Sequence, residues 1–125
     1  MRSYYSLFAF LFGVTPCLAQ TGPTIQWQMT FGGSSYEDAR YGQQTNDGGY
    51  VLIGDAQSTN GDVTGNHGHE DFWVVKTDAA GALQWQKSLG GSSSDYPSVI
   101  MQTSDSGYII AGSTASSDGD VTGYH

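Results

Sequence analysis

The chain contains an internal repeat that spans most of its length. Residues 25–67 align with residues 83–125 without a gap, and 20 of the 43 aligned positions are identical at a constant spacing of 58 residues. The five residues Gly-Asp-Val-Thr-Gly at 61–65 recur unchanged at 119–123. A unit that recurs at fixed length is one supersecondary element, which buries its apolar surface against its neighbours. The repeat therefore predicts an array of similar packed units.

The repeat also sets the predicted domain organisation. Repeat 1 covers residues 25–82, and repeat 2 covers residues 83–125 and is incomplete, because no second copy of residues 68–82 follows it. Residues 20–24 form a short linker ahead of the array. Stable arrays generally contain three or more units. We therefore expect this chain to be the amino-terminal piece of a longer protein with further repeats.

The first 19 residues have the features of a secretory signal peptide. Arg2 precedes an apolar run over residues 7–14, and Cys17 and Ala19 are small residues placed three and one before a cleavage site. The run is too short to span a bilayer of about 30 Å, so we predict no transmembrane anchor. Cleavage after Ala19 removes the only cysteine, and the protein is predicted to be secreted or at the cell surface, without disulfides.

The charge of the chain argues against nucleic acid as a partner. There are four basic and twelve acidic residues, which gives a net charge of -8. Nucleic acids are bound largely through Lys and Arg contacts to phosphates, and these residues are scarce here. The acidity suits solubility, and cation binding is the second interpretation.

Short extended segments account for each repeat. Gly and Ser clusters interrupt the sequence, and no stretch of ten residues places apolar side chains at helical spacing, which predicts an all-β fold. Residues 72–77 and 82–88 form one predicted hairpin, and residues 98–103 and 107–113 form another. Each repeat then supplies four antiparallel strands, the content of one β-propeller blade, and the chain is a partial β-propeller. A β-solenoid is the alternative.

The recurring aromatic residues are predicted to pack between units. Trp27 aligns with Trp85, and Tyr50 aligns with Tyr108. Because aromatic rings bury large apolar areas, we expect all four in the core. Three tyrosines do not recur in register and are predicted to be exposed: Tyr36, Tyr96 and Tyr124.

Two loops contain residue types that bind metals. The repeated loops at 60–62 and 118–120 bring carboxylate and carbonyl oxygens together, which suits calcium. The candidate calcium ligands are Asn60, Asp62, Asp118 and Asp120. Asp and Asn in such loops more often bond their own backbone to hold a turn, and we favour that interpretation. No other cofactor is predicted.

Two histidines form the candidate zinc site. In an extended chain His67 and His69 project to the same side, and carboxylates follow them directly. His67 recurs as His125 beside a glycine turn, so a loop residue bonded to backbone is the simpler interpretation.

No catalytic constellation emerges from the sequence. The serines of the Gly-Gly-Ser-Ser segments lack a strand-turn-helix elbow, which predicts a role in turns. Glu37 and Asp38 are adjacent, and on a strand they would point to opposite faces rather than toward one sugar.

Residues 85–91, 102–113 and 61–78 together resemble the units of bacterial secreted β-propeller repeat proteins, and the likeness covers essentially all of residues 25–125. The resemblance implies a large exported or surface-attached chain, often with a type IX secretion sorting domain, and it names no reaction. We expect a non-catalytic protein that serves binding, adhesion or scaffolding at the bacterial cell surface, with a glycan or a protein as ligand. The alternative is the amino-terminal part of a secreted hydrolase or lyase whose catalytic residues lie outside this chain.

Overall fold

The computed structural model describes residues 22–123, which contain six β-strands. They are β1 (Glu37–Gln44), β2 (Tyr50–Ala56), β3 (Asp71–Thr77), β4 (Leu83–Leu89), β5 (Asp95–Gln102) and β6 (Tyr108–Thr114). A four-stranded antiparallel sheet has the order β1-β2-β3-β4, and β5 and β6 form an antiparallel hairpin. The all-β prediction is therefore confirmed. The predicted signal peptide lies outside the described residues, and within them no helix has the length and apolar character needed to cross a membrane.

The sheet and the sequence repeat are out of phase. The sheet extends from β1 to the end of β4 at Leu89, whereas repeat 2 begins at residue 83. All of β4 thus belongs to repeat 2, yet it pairs along its length with β3 of repeat 1. Each repeat unit is therefore tied to the next by a strand as well as by the peptide chain.

The two hairpins β1-β2 and β5-β6 share one plan. In both turns a Thr amide donates to a Gly carbonyl four residues later, from Thr45 to Gly49 and from Thr103 to Gly107, each at 2.9 Å. Both hairpins also carry a register shift at the same repeat position, between Ala39 and Tyr41 and between Pro97 and Val99. The 58-residue spacing thus reproduces the backbone as well as the sequence.

The core lies on both faces of the four-stranded sheet. On one face Val51, Ile53 and Val74 pack against Ile100 of the β5-β6 hairpin, and all four are buried. On the other face Ala56, Val63, Trp73 and Val75 form a second buried cluster, against which Phe31 and Leu52 pack. Burial on both faces explains why β2 and β3 read as nearly continuous apolar runs rather than as an alternation.

The recurring tryptophans pack within their own repeats and are more than a third exposed. Trp27 is 39% exposed and Trp85 is 40% exposed, so the expectation that both rings are core is wrong. Each ring instead packs edge-to-face on the tyrosine of its own repeat, Trp27 on Tyr50 at 5.5 Å and Trp85 on Tyr108 at 5.7 Å between centroids. The buried indole is that of Trp73. The prediction of exposure is confirmed for two out-of-register tyrosines, Tyr36 and Tyr96, and Tyr124 lies outside the described residues.

A buried lysine joins the β1-β2 turn to the sheet. The Lys76 ammonium donates to Asp47 Oδ2 at 2.9 Å, to the Thr77 carbonyl at 2.8 Å and to Gln84 Oε1 at 2.9 Å. Its hydrogen bond, with those from the Thr45 hydroxyl and the Gly49 amide, holds the pKa of Asp47 well below its usual range. The charge of Lys76 is thus compensated by one carboxylate and two neutral acceptors, as a buried cation requires.

Candidate functional site

The segment Gly32–Ser35, which we call the first corner, is held by a side chain at every residue. Its four consecutive backbone amides each donate to a different side-chain oxygen, at 2.8 to 3.1 Å. In chain order the acceptors are Asp62 Oδ2, Glu37 Oε2, Asn60 Oδ1 and Ser58 Oγ. Side-chain oxygens of this kind satisfy backbone groups that a tight loop cannot pair in a strand ladder. Three of the four acceptors therefore come from the loop that follows β2, and the fourth, Glu37, is the first residue of β1.

The second corner, Gly90–Ser93, repeats this arrangement one unit later. Its amides donate to Asp120 Oδ2 at 3.4 Å, Asp95 Oδ2 at 2.8 Å, Asp118 Oδ1 at 2.8 Å and Ser116 Oγ at 3.0 Å. The acceptors are the repeat equivalents of those at the first corner, with Asp95 in place of Glu37 and Asp118 in place of Asn60. Equivalent side chains of the two repeats thus accept hydrogen bonds from the backbone amides at both corners.

The candidate calcium ligands are the acceptors at these corners. Asn60, Asp62, Asp118 and Asp120 each direct an oxygen at a corner amide. These side chains bond backbone, as in the favoured interpretation. The amides that they bond, however, belong to a loop 26 or 30 residues earlier and not to the same turn. Within residues 22–123 no group of three or more His, Cys, Asp or Glu side chains is arranged to hold a metal ion.

Close backbone contact explains the second glycine of each corner. A Cβ on Gly33 would lie 2.5 Å from the Asn60 carbonyl oxygen, and a Cβ on Gly91 would lie 2.5 Å from the Asp118 carbonyl oxygen. Real Cβ atoms do not approach a backbone oxygen so closely. Only glycine lets the two loops meet at this distance.

The candidate zinc ligands do not act together. The His67 backbone amide and its Nδ1 both bond Asp71 Oδ2, at 2.9 and 2.7 Å. His69 is exposed, has a positive φ of 20°, and takes part through its backbone carbonyl, which accepts from Asn66 Nδ2 at 3.4 Å. His67 is therefore a loop residue paired with a buried carboxylate at the start of β3.

Asp71 is fully buried, and its two oxygens have different surroundings. Oδ2 is bonded to His67, whereas Oδ1 has no hydrogen-bond partner among the described residues. Burial raises the pKa of the Asp71 carboxyl, and the hydrogen bond to His67 opposes this effect. The same hydrogen bond raises the pKa of His67. The pair is thus most stable when the imidazole carries its proton.

This pair predicts that stability falls as pH rises. Because the pKa of folded His67 lies above 6.5, its contribution is complete below pH 6.5 and is lost as pH rises through the folded-state pKa. We expect the free energy of unfolding, measured by urea denaturation, to decline as pH rises above 6.5, the ordinary pKa of histidine. The variant His67→Asn should show a flatter profile above pH 6.5. An equal decline in both proteins would assign the effect to other groups.

Asp95 is the most enclosed acid of the second corner. Its Oδ2 accepts from the Gly91 amide at 2.8 Å and from the Ser116 hydroxyl at 2.9 Å, and its Oδ1 accepts from the Thr114 hydroxyl. Sequence reasoning did not single out this residue for a structural task. The signal that could have found it is the recurrence of an acid at the position of Glu37, four residues after a glycine in each repeat.

A polar cleft opens beside the second corner. It has a volume of about 270 Å³ and lies between the carboxy-terminal half of β4 and the loops around residues 65 and 120. Its lining comprises Thr64, Gly65, His67, Gln86, Lys87, Ser88 and Asp120. A hydroxyl, an amide, an imidazole, an ammonium and a carboxylate thus line one open space. Several of these groups already have partners within the chain: Gln86 bonds Trp73 and Thr64, Ser88 bonds the Thr64 carbonyl, and His67 bonds Asp71.

The fold and the corners define an all-β repeat protein with side-chain-braced loops. Comparison of the chain with protein-family models, with curated proteins and with solved structures finds no match.

Proposed function

We propose that the chain is part of an exported bacterial repeat protein of the β-propeller type, with a non-catalytic role in binding, adhesion or scaffolding at the cell surface. The bracing of both corners carries this proposal. Eight backbone amides, four at each corner, donate to side-chain oxygens. The polar residues of the loops therefore hold the backbone in place. Rigid loops at one edge of stacked sheets suit the display of a binding surface.

The packing of the two units supports the propeller form. The β5-β6 hairpin covers one face of the four-stranded sheet through Ile100, as a neighbouring blade would. The far face of that hairpin carries Met101 and Ile109, which are about half exposed. Ile109 is the repeat equivalent of Val51, which the hairpin buries completely. A third unit of the same kind would bury Ile109 in the same way.

The polar cleft is the proposed binding site, and a surface polysaccharide is the proposed ligand. Lys87 and Gln86 stand on β4, where the paired strand fixes the backbone, and His67 is fixed by Asp71. Saccharide hydroxyls both donate and accept hydrogen bonds, which matches the mixed lining of the cleft. Export would follow removal of the predicted signal peptide.

The test is retention on immobilised bacterial surface polysaccharides. The purified chain is expected to bind at least one of them, and Lys87→Ala should weaken the binding about tenfold because a charged donor in the cleft is lost. Ser117→Ala is the matched control, since Ser117 is exposed and outside the cleft lining, and its binding should equal that of the parent. Equal binding by both variants would place the ligand elsewhere, and a lack of retention on every polysaccharide would contradict the proposal.

A further inference from the structure

Two buried carboxyl groups meet beside Gly90, where repeat 1 joins repeat 2. Asp71 is the first residue of β3 and Asp95 is the first residue of β5, and they are 0% and 1% exposed. A Cβ placed on Gly90 would lie 2.4 Å from Asp95 Oδ2 and 2.8 Å from Asp71 Oδ1. Both oxygens therefore lie against the same side of this glycine. We call Asp71 and Asp95 the carboxyl pair.

The two acids differ in the hydrogen-bond donors around them. Asp95 accepts from one backbone amide and two hydroxyls, as described above. Asp71 Oδ2 is bonded to His67, whereas the enclosed Oδ1 has no donor among residues 22–123. An ionised oxygen that is buried without a donor is costly, but a protonated carboxyl group is itself a donor. The group that Asp71 Oδ1 lacks is thus a hydrogen atom.

We propose that Asp71 takes up a proton on Oδ1 and donates it in a hydrogen bond to Asp95 Oδ2, so that acid fastens one repeat unit to the next. A carboxylate offers about four acceptor sites, and three of those on Asp95 are in use, which leaves one for this bond. A proton needs no cavity, and within the described residues no third acid or imidazole joins the pair in an arrangement that could hold a metal ion. The bond is charge-assisted, and such bonds are roughly twice as strong as neutral ones.

The carboxyl pair lies at a junction that is already held by neutral contacts. The Asp95 amide donates to the Glu70 carbonyl at 2.6 Å, and the Ser94 hydroxyl donates to the Glu70 carboxylate. Asp71 belongs to repeat 1 and Asp95 belongs to repeat 2. When both acids are ionised, their like charges therefore repel across the junction, and the proton replaces this repulsion with a bond.

The proton on Asp71 makes the junction stronger as pH falls. Burial raises the pKa of the Asp71 carboxyl above 3.8, the hydrogen bonds to His67 oppose this rise, and the charge of Asp95 adds to it. Because the pKa is raised in the folded state, the contribution of Asp71 to stability is complete below pH 3.8 and is lost as pH rises through the folded-state pKa.

Other titratable groups leave a pH interval in which the carboxyl pair can be observed. Those on the adjoining elements are His67, Glu70, Asp55, Asp118, Asp120 and Lys87. The contribution of His67 is complete below pH 6.5. Hydrogen bonds lower the pKa values of Glu70 and Asp118, so their contributions are lost only as pH falls below 4.5 and 3.8. The interval from pH 6.5 to pH 4.5 therefore reports on the carboxyl pair.

The experiment compares Asp71→Asn with the parent chain by urea denaturation at pH 6.5 and at pH 4.5. Asparagine keeps an oxygen for His67 and places an NH2 group at the position of Oδ1, so the bond to Asp95 no longer depends on pH. We expect the variant to be at least as stable as the parent at pH 6.5. The ratio of the folding equilibrium constants, variant to parent, should then fall about tenfold at pH 4.5, where the parent gains its proton. A constant ratio, or a variant less stable than the parent at pH 6.5, would overturn the proposal.

Glu37→Gln is the matched control. Glu37 occupies the repeat position of Asp95, and the three atoms nearest to a Cβ on Gly32 all belong to Glu37. A single acid has no neighbouring carboxylate to which it could donate, so the ratio for this variant should change less than about twofold between the two pH values. A tenfold fall for Glu37→Gln as well would assign the effect to acids in general and contradict the proposal.

An NMR titration of the Asp71 carboxyl carbon gives a second readout that does not depend on stability. In the parent chain this resonance should move as pH falls from 6.5 toward 3.8. In Asp95→Asn, which keeps an oxygen for the Gly91 amide, the midpoint should drop by about one pH unit, because an amide attracts the proton less than a carboxylate does. An unchanged midpoint would show that burial alone retains the proton and would refute the bond to Asp95. Neither readout uses a polysaccharide, so the carboxyl pair and the proposed function can fail independently.

Discussion

Asp95→Ala is expected to lower the free energy of unfolding by about 3 kcal/mol or more. The carboxylate is 1% exposed and accepts from the Gly91 amide and from the hydroxyls of Thr114 and Ser116. Its removal leaves a buried amide without an acceptor and two hydroxyls without their partner, at the junction of the four-stranded sheet and the β5-β6 hairpin. Urea denaturation followed by tryptophan fluorescence measures the loss.

Asp118→Ala is the matched control for this change. Asp118 accepts from the Ser92 amide at the same corner, but both groups are exposed, and water can replace the lost oxygen. We expect a loss of about 1 kcal/mol or less. Similar losses for Asp95→Ala and Asp118→Ala would mean that burial does not set the importance of the corner acids.

Gly54→Val is expected to cost about 3 kcal/mol or more, or to prevent folding. A Cβ at this position would lie 1.9 Å from the Asp38 carbonyl oxygen and 3.1 Å from Ala39 Cα. Gly54 pairs with Ala39, next to the register shift of the β1-β2 hairpin. Since backbone rather than a mobile side chain blocks the space, the hairpin itself must move. Thermal unfolding by circular dichroism gives the measurement.

Two comparisons test the cause of this loss. Gly112 is the repeat equivalent of Gly54, and its Cβ would lie 2.3 Å from the Tyr96 carbonyl oxygen, so Gly112→Val should be harmful as well. Gly22 has no atom of residues 22–123 within 4 Å of its Cβ position, and Gly22→Val should change stability by less than about 0.5 kcal/mol. A stable Gly54→Val protein would show that the close approach at the register shift is dispensable.

The hairpins could be predicted because their signals are local. The short extended runs and the repeated Gly- and Asp-containing turns place β3, β4 and β6 within one residue of their observed bounds. The expected start of β5 at residue 98 is wrong, because the strand begins at Asp95 and includes Pro97. Proline lacks a backbone amide, and β5 accommodates it at a register shift, on a strand with a ladder on one side only in the described residues.

The corner contacts could not be predicted, because their partners are far apart in sequence. The acidity of residues 60–62 indicated either a metal or a local turn, and no local pattern reveals that Asp62 reaches back 30 residues to Gly32. The joint recurrence of the Gly-Gly-Ser-Ser segment and the following acids was the available signal. To use this signal, one must assume that two segments which recur together do so because they contact each other in the fold.

The burial of the individual tryptophans could not be predicted from the sequence either. Trp27 and Trp85 each pack edge-to-face on a tyrosine and remain about two-fifths exposed, whereas Trp73 lies in the cluster with Val75. Recurrence indicates that a residue has the same surroundings in each repeat, but it does not indicate how much of the residue is covered.

The phase difference between sheet and repeat has a mechanical consequence. A pulling force applied along the chain cannot separate neighbouring units by extending a linker, because β4 of one sheet continues directly into the corner that begins the next unit. The hydrogen bonds of the β3-β4 ladder must break before the chain lengthens. Because Phe72 pairs with Leu89, the two pulled ends of this antiparallel pair lie side by side, and tension opens the ladder one pair at a time from that end. A molecule anchored at one end and attached to a surface at the other would therefore transmit tension through its sheets, and each unit would lengthen by unzipping from the corner that follows β4.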